Sequence, residues 1–326
     1  MSGNSRLRST AAVLAVTAAL VTGCSSTAAD QAAPGDAVAQ VAGRPRVGVV
    51  LGGGGETGIA WQTGVLSGLA EAGLTPAAVD VVVGTSAGAL AGSYFSAGLD
   101  LAGLVERERR GEVATAPLPA GEGMTAIPPE IIAALGATEG TIEERGRRVG
   151  ELAMKARTPI SGADFVGYVS TMLPGPDWPA LDFRPTSVNA ETGETVLWKS
   201  TDGVALAAAV ASSAAVPGFL PTVEIGGRHY TDAPRTSFSA ALVAEKGLDA
   251  IVYIGMPTPN LSNTVEEAAL DELEAGGLRV VRITGGEGSE EIIREALDPA
   301  LRPRAAELGL RDAAVAVPAV TAVLHP

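Results

Sequence analysis

The chain has 326 residues, of which 46% are hydrophobic, so it can bury a sizeable core and is not expected to be disordered. Its net formal charge of −14 argues against nucleic acid as a partner and against attraction to anionic lipid surfaces. Aromatic residues make up only 4% while alanine and glycine abound, a composition that favours layered α/β architecture with closely packed small side chains.

The first 23 residues have the pattern of an export signal. Arg6 and Arg8 precede an apolar run over residues 11–21 that ends in small residues. As a helix this run would span about 16 Å, roughly half of a bilayer core, so it is too short for a permanent transmembrane helix. No later segment of the sequence is long and apolar enough to cross a membrane. We therefore assign residues 1–23 to a signal peptide rather than to the fold.

The only cysteine, Cys24, directly follows Val21-Thr22-Gly23 and has no partner in the chain for a disulfide. This segment resembles the lipobox of bacterial lipoproteins, in which the cysteine is lipidated and becomes the new N-terminus. Residues 24–45 would then form the lipidated cysteine and a flexible tether that reaches roughly 25 Å. The resemblance implies an exported protein held at the cell membrane by a lipid anchor. An ordinary signal peptide followed by an incidental cysteine is the alternative.

Two strand-turn-helix units open the folded domain, which we place at residues 46–326. The first contains a buried strand at 47–51, a glycine run and a helix at about 58–72. The second contains a buried strand at 79–83 that leads into an alanine-rich helix. Repetition of this unit indicates an α/β fold.

The rest of the domain mixes helical and strand patterns, beginning with a helical insertion at about residues 100–180 that contains no convincing buried strand. Residues 183–190 and 195–199 are two predicted strands around a tight turn. Further strands are predicted at residues 250–255 and 278–283, and helices at 203–215, 236–246, 263–275 and 303–314.

The segment Gly84-Thr85-Ser86-Ala87-Gly88 lies where the second strand gives way to a helix. A serine hydroxyl becomes a useful nucleophile only when a base takes its proton and the side chain stands clear of the backbone. In such a turn Gly84 and Gly88 relieve crowding around a strained serine, and the helix N-terminus favours developing negative charge. The pattern predicts that Ser86 is the nucleophile of an acyl hydrolase. A close-packed turn without catalytic function is the alternative.

A second glycine-rich segment, residues 52–58, follows the first strand. Its backbone N–H groups can point at an anion because glycine lacks a side chain and permits unusual dihedral angles, so the segment is a candidate oxyanion hole. It also satisfies the dinucleotide pattern Gly53-x-Gly55-x-x-Gly58. A dinucleotide site wants an acid at the end of the second strand, and Asp80 lies near the start of that strand, which disfavours this alternative. A purely structural turn is the third possibility.

A Ser-His-Asp triad needs a histidine, and the chain has only His229 and His325. His325 precedes the C-terminal residue, where fraying is usual. His229 lies in an alternating segment that predicts a short hairpin strand, and we interpret it as structural or surface-exposed. A carboxylate is therefore the favoured base.

Three segments together resemble the patatin-like phospholipase family. They are the glycine loop at residues 52–58, the Gly-Thr-Ser-Ala-Gly motif at 84–88, and the block 211–221 followed by Tyr230-Thr231-Asp232-Ala233. The resemblance covers roughly residues 46–255, within which residues 100–180 match poorly. It implies a three-layer α/β/α fold with a mainly parallel central sheet and a helical insertion.

By this resemblance Ser86 is the nucleophile, Asp232 is the base of a Ser-Asp dyad, and the amides of Gly53, Gly54 and Gly55 form the oxyanion hole. The implied reaction is the cleavage of fatty-acyl esters, with a lipid or another acyl ester as substrate. It requires no metal and no organic cofactor. An ordinary turn aspartate is the alternative for Asp232.

Two positions depart from the family pattern. Thr57 takes the place of an arginine or lysine beside the proposed oxyanion loop, and Ala233-Pro234 replaces a glycine after the proposed catalytic aspartate. The first change removes a cation and the second alters the turn that holds Asp232. The second hypothesis is therefore a catalytically weak or inactive lipoprotein that keeps the fold and binds lipid or a protein partner.

Overall fold

Eight strands form one central sheet in the part of the chain that the structure describes. The structure is a computed structural model, and its described residues are 43–113, 127–232, 239–257 and 263–326. In chain order the strands are β1 (Val47–Leu51), β2 (Val81–Gly84), β3 (Phe183–Asn189), β4 (Thr195–Leu197), β5 (Val223–Ile225), β6 (Arg228–Thr231), β7 (Ala250–Ile254) and β8 (Arg279–Ile283). The order across the sheet is β5-β6-β3-β2-β1-β7-β8, and β4 pairs with β3.

The middle of this sheet is parallel. Strands β3, β2, β1, β7 and β8 run in one direction, whereas β4 and β6 are antiparallel to β3 and β5 is antiparallel to β6. Every residue of β1, β2 and β7 is buried, as their continuous aliphatic runs predict. Because Leu51 pairs with Gly84, the two glycine motifs that follow β1 and β2 meet at the carboxyl edge of the sheet, where α/β folds place their ligands.

Helices cover both faces of the sheet. In the described residues they are α1 (Gly55–Leu69), α2 (Ala87–Ser96), α3 (Leu101–Arg109), α4 (Pro129–Gly136), α5 (Ile142–Lys155), α6 (Gly162–Met172), α7 (Leu206–Ala214), α8 (Ser239–Lys246), α9 (Asn263–Ala275), α10 (Glu290–Arg294) and α11 (Arg302–Leu324). On one face α8 and α9 contribute Leu242 and Leu270 to a cluster with β1, β2 and β7. On the other face α1, α2 and α11 bury the larger cluster around Trp61. The predicted three-layer α/β fold with a mainly parallel sheet is therefore confirmed.

Helices α1 and α11 cross at very short distance. A Cβ atom on Gly309 would lie 2.1 Å from the carbonyl oxygen of Trp61, and one on Gly64 would lie 2.3 Å from that of Ala306. The Trp61 indole also donates to a carboxylate oxygen of Asp312 at 2.9 Å. Glycine on each helix thus permits direct contact between the two backbones, and this contact fixes α11 on the helix that begins in the glycine loop.

Most predicted elements are present, although some ends differ. Helix α1 begins at Gly55 rather than at residue 58, because the last glycines of the run already form its first turn. Helix α11 continues to Leu324, past the predicted end at residue 314, and includes Pro318. Buried Val320 and Val323 extend its apolar face beyond the exposed proline, so packing maintains a helix that local sequence would interrupt.

The region between β2 and β3 contains helices α2 to α6 and no strand in its described residues, as expected for the helical insertion. Two of these helices begin with a capping box, formed by Thr141 with Glu144 and by Ser161 with Asp164. None of the helices in the described ranges combines the length and apolarity needed to cross a membrane. The predicted signal peptide and Cys24 lie outside the described residues, so both stay predictions.

Candidate active site

Ser86 occupies a strained turn between β2 and α2. Its φ of 55° and ψ of −116° make it the only non-glycine residue with positive φ among those described, a conformation that costs about 1–3 kcal/mol. The flanking glycines are sterically required, since a Cβ on Gly84 would lie 2.3 Å from the carbonyl oxygen of Gly88, and one on Gly88 would lie 2.4 Å from that of Leu51. The chain thus holds this serine in the geometry of a nucleophile elbow.

A second serine supports the elbow from helix α7. The backbone N–H of Ser86 donates to Oγ of Ser213 at 3.0 Å, and Ser213 is fully buried. Removing this hydroxyl would leave a buried N–H without its acceptor, at a cost of about 1–3 kcal/mol. The sequence did not identify Ser213 as a site residue, because its hydrogen bond to Ser86 joins positions that are 127 residues apart.

The glycine loop after β1 is tied to the elbow. The carbonyl oxygen of Gly52 accepts from the backbone N–H of Gly88 at 3.1 Å and from Nε2 of the buried Gln62 at 2.6 Å. A Cβ on Gly53 would lie 3.7 Å from Cβ of Ser86, so the loop runs directly beside the serine. The two motifs that the sequence places 33 residues apart at Gly53 and Ser86 are thus adjacent in space.

Unpaired backbone donors lie next to Ser86. Within the described residues, the N–H groups of Gly53, Gly54, Gly55 and Ala87 donate to no other protein group. The first three belong to the predicted oxyanion hole. Ala87, the residue after the proposed nucleophile, was not predicted, although its position alone could have indicated it. A single donor of this kind typically contributes about 3 kcal/mol to stabilising a developing oxyanion.

Thr57 is buried and bonded to a segment far along the chain. Its N–H donates to the carbonyl oxygen of Ala296 at 3.1 Å, and its hydroxyl donates to that of Ile292 at 2.7 Å. A Cβ on Gly55, whose φ is 61°, would lie 2.5 Å from the same Ala296 oxygen. The position at which the family pattern has a cation thus serves here to attach the glycine loop to α10 and to the segment after it.

A buried ion cluster at the start of α11 also holds this loop. Nη1 of Arg302 donates to the Glu56 carboxylate at 2.5 Å and to the Glu56 carbonyl oxygen at 3.3 Å, while Nε and Nη2 donate to Glu108. Burial acts to lower the pKa of Arg302, but the bonds and charges of Glu108 and Glu56 raise it overall. Burial raises the pKa of nearby Tyr94 to about 12, so its phenol stays neutral. No sequence pattern had indicated Arg302.

Asp232 directly follows β6 and is partly buried. Its N–H donates to the carbonyl oxygen of Ala215 at 3.0 Å, and the hydroxyl of Thr231 donates to the same oxygen at 2.7 Å. Because Ala215 lies two residues after Ser213, the carboxyl end of α7 contacts both members of the predicted dyad, Ser86 and Asp232. The second departure from the family pattern, Ala233, lies outside the described residues.

The structure places the residues that the alternative chemistries would use less favourably. His229 pairs with Glu191 at 2.8 Å beside a separate cavity of about 570 Å³, and His325 is an exposed residue directly after α11. Asp80, the candidate ribose ligand, is bonded to both terminal nitrogens of Arg44 and to the N–H of Val47. No group of three metal-ligating side chains is assembled in the described ranges.

An apolar cavity of about 430 Å³ opens at Ser86, within the size range of small-molecule sites. Helix α6 of the insertion forms one wall with Phe165, Tyr168, Val169 and Met172. The other lining residues come from the glycine loop, α1, α2, the end of α7 and the segment before α11: Gly55, Glu56, Ile59, Ala87, Leu90, Ala214, Val216, Phe219, Leu220, Leu297 and Pro299. A hydrocarbon chain is the kind of group that such a lining accepts.

A strained serine after a parallel strand, unpaired N–H donors beside it and an apolar cavity are features that an α/β serine acyl hydrolase requires. The family model of the patatin-like phospholipases matches residues 49–117, so this segment of the chain is similar to that family. The match includes the glycine loop and Ser86, so the recognition made from the sequence is confirmed there. Asp232 lies beyond the matched residues.

The solved structures to which this chain is similar include VipD and ExoU. VipD from Legionella pneumophila has 14% identity and a TM-score of 0.42, with 83% of this chain and 67% of VipD covered. The type III effector ExoU has 17% identity and a TM-score of 0.39, with 85% of this chain and 53% of ExoU covered. ExoU in its complex with SpcU, from Pseudomonas aeruginosa, has 17% identity and a TM-score of 0.36, with 82% of this chain and 52% of the ExoU chain covered. The chain thus spans about half the length of ExoU. No curated protein sequence matches the chain.

Proposed function

We propose that this protein is a serine acyl hydrolase that cleaves fatty-acyl esters of lipids through a Ser86–Asp232 dyad and an acyl-enzyme. The observation that carries the proposal is the strained Ser86 at the mouth of an apolar cavity, with unpaired backbone donors beside it. The family match over residues 49–117 supports lipid esters as the substrate class.

The proposed reaction has two steps. Asp232 takes the proton of the Ser86 hydroxyl as its oxygen attacks the ester carbonyl, while the N–H groups of the Gly53–Gly55 loop and of Ala87 stabilise the oxyanion. Asp232 gives this proton to the leaving oxygen as the tetrahedral intermediate collapses, which releases the alcohol and leaves the acyl group on Ser86. Asp232 then activates a water molecule that attacks the acyl-enzyme and frees the fatty acid. The cavity holds the acyl chain throughout, and the reaction uses no metal or organic cofactor.

A fluorophosphonate probe tests this proposal. We expect the wild-type protein to be labelled at Ser86, as located by mass spectrometry of the labelled peptide, and to release fatty acid from a panel of short- and long-chain esters. The probe mimics the tetrahedral intermediate and therefore reports an activated serine in a working oxyanion hole. Labelling at another residue, or ester hydrolysis without labelling at Ser86, would overturn the assignment.

A second candidate function is a lipid-binding lipoprotein with little or no turnover. It is favoured by Thr57, which replaces the family's cation with internal hydrogen bonds. Under this hypothesis the cavity binds fatty acid, but neither probe labelling nor ester hydrolysis occurs. Equilibrium binding of a fluorescent fatty acid, measured beside the ester panel, separates the two functions.

We further propose that the protein is exported and anchored in the cell membrane through a lipid on Cys24. The charged start, the short apolar run and the small residues before Cys24 support this proposal. Cys24→Ala is expected to move most of the protein from the membrane fraction to the soluble fraction, as measured by immunoblotting. Unchanged fractionation would show that Cys24 is not the anchor.

A further inference from the structure

Two neighbouring serines near the end of α7 form hydrogen bonds in different directions. Ser213 accepts from the backbone N–H of Ser86 at 3.0 Å. Ser212 is bonded instead to Ser187 and Trp198. We propose that Ser213 is a positioning residue, whose hydroxyl keeps Ser86 in its reactive conformation and thereby sets kcat rather than substrate binding. The inference rests on the proposed function and adds a positioning residue to it.

The backbone at Ser86 needs a restraint from outside the turn. A φ of 55° with a ψ of −116° is unfavourable for a residue that has a side chain, so it persists only where surrounding contacts hold it. The hydrogen bond from the Ser86 N–H to Ser213 is such a contact. If this bond is lost, backbone rotation toward an ordinary conformation relieves the strain and moves the Ser86 hydroxyl relative to the N–H donors of the glycine loop.

Ser213 contacts the elbow on both sides of its strained part. Its hydroxyl accepts from the Ser86 N–H and donates to the carbonyl oxygen of Gly84 at a longer distance of 3.5 Å. A hydroxyl suits this position because it can accept and donate at the same time. The side chain is fully buried, so water cannot easily replace it as the acceptor.

The same stretch of chain also holds the strand end that carries Asp232. Ala215, two residues after Ser213, accepts from the backbone N–H of Asp232 at 3.0 Å. The Ser213 bond therefore fixes the backbone of the proposed nucleophile relative to that of the proposed base. A misplacement of about 1 Å between reacting groups can reduce a rate roughly a hundredfold.

The acyl cavity does not depend on the Ser213 hydroxyl. The described residues that line the cavity include Ala214 but not Ser213. Loss of the hydroxyl is therefore expected to change the chemical step and to leave binding of the acyl chain intact. This separation distinguishes a positioning role from a general loss of structure.

Ser213→Ala in the full chain tests the proposal. We expect kcat on a soluble ester to fall roughly ten- to hundredfold, with KM changed by less than about threefold. The rate of fluorophosphonate labelling at Ser86 is expected to fall by a similar factor, because the probe reacts with the same oxygen. Ser213→Thr, which restores the hydroxyl, is expected to regain most of both rates. Thermal unfolding verifies that each variant is folded at the assay temperature.

Ser212→Ala is the matched control. Ser212 is as fully buried as Ser213, and its hydroxyl accepts from Trp198 at 3.1 Å and donates to the carbonyl oxygen of Ala209 at 2.8 Å. After its removal Trp198 keeps its bond to Ser187 at 2.9 Å. We expect Ser212→Ala to lower the unfolding temperature at least as much as Ser213→Ala, while kcat stays within about threefold of the wild-type value.

The outcomes distinguish the two levels of inference. An active wild type with an unchanged kcat in Ser213→Ala, or with a loss confined to KM, overturns the positioning role and leaves the proposed hydrolase intact. An equal loss of kcat in Ser212→Ala, or a folded Ser213→Thr as slow as Ser213→Ala, assigns the effect to packing and also overturns that role. Absence of both hydrolysis and labelling in the wild type overturns the proposed function itself.

Discussion

Ser86→Ala is expected to reduce ester hydrolysis by roughly four to six orders of magnitude, and Asp232→Asn by roughly two to four. In the proposed mechanism Ser86 supplies the attacking oxygen, and Asp232 removes its proton in the same step. Because the two residues act as a unit, the double variant is expected to be no slower than Ser86→Ala alone. Steady-state kcat/KM values of the wild type and the three variants, measured on one soluble ester, complete this double-mutant cycle.

Thermal unfolding of the same variants provides the control for this cycle. Ser86→Ala removes only the hydroxyl and keeps the hydrogen bond from the backbone N–H to Ser213, so the unfolding temperature is expected to change little. If Asp232→Asn retained near wild-type activity in a folded protein, another group would be the base. A strictly multiplicative loss in the double variant would mean that the two residues do not share a step.

Arg302→Met is expected to lower the free energy of unfolding by about 3–5 kcal/mol, because it leaves two glutamates without their buried cation. Glu108 has a side chain only 5% exposed, so water cannot easily replace the guanidinium. Chemical denaturation measures this difference in the free energy of unfolding, with one m-value fitted to the wild type and the variant. Activity is expected to fall as well, since Arg302 holds the helix turn that continues the oxyanion loop.

The matched control for this prediction removes all three charges at once. Combining Arg302→Met with Glu56→Gln and Glu108→Gln keeps the volumes and is expected to recover most of the lost stability, because no uncompensated buried charge remains. If the single variant were as stable as the wild type, the cluster would contribute nothing to the fold. If the triple variant were as unstable as the single one, packing rather than charge would explain the loss.

The sequence predicted the sheet well where one local property determined the structure. The strand at residues 47–51 was found with the observed bounds because a strand buried on both faces requires an unbroken aliphatic run. The end of α11 was placed too early, at residue 314, because Pro318 normally stops a helix. The contacts that keep it helical come from α1 and β8, which local periodicity does not encode.

The candidate site was predictable to the extent that its parts are motifs. Ser86, Gly84 and Gly88 were identified because a strained turn needs glycine at fixed spacing, and the structure shows the close contacts that require it. Ser213 and Arg302 were not identified, since both act through long-range hydrogen bonds that have no sequence signature. Asp232 was selected only through the family resemblance, because an isolated aspartate after a strand is otherwise unremarkable as a pattern.

The attachment of the glycine loop to the segment before α11 has a consequence for how the protein is made. Thr57 and Ile292 are separated by 235 positions, and Glu56 and Arg302 by 246. During synthesis from the N-terminus, the elbow and its loop emerge long before the residues that hold them in place. Contacts of such high sequence separation form late in folding. The proposed active site is therefore complete only when the last stretch of chain has been made, so an unfinished polypeptide carries the motifs without the contacts that hold them.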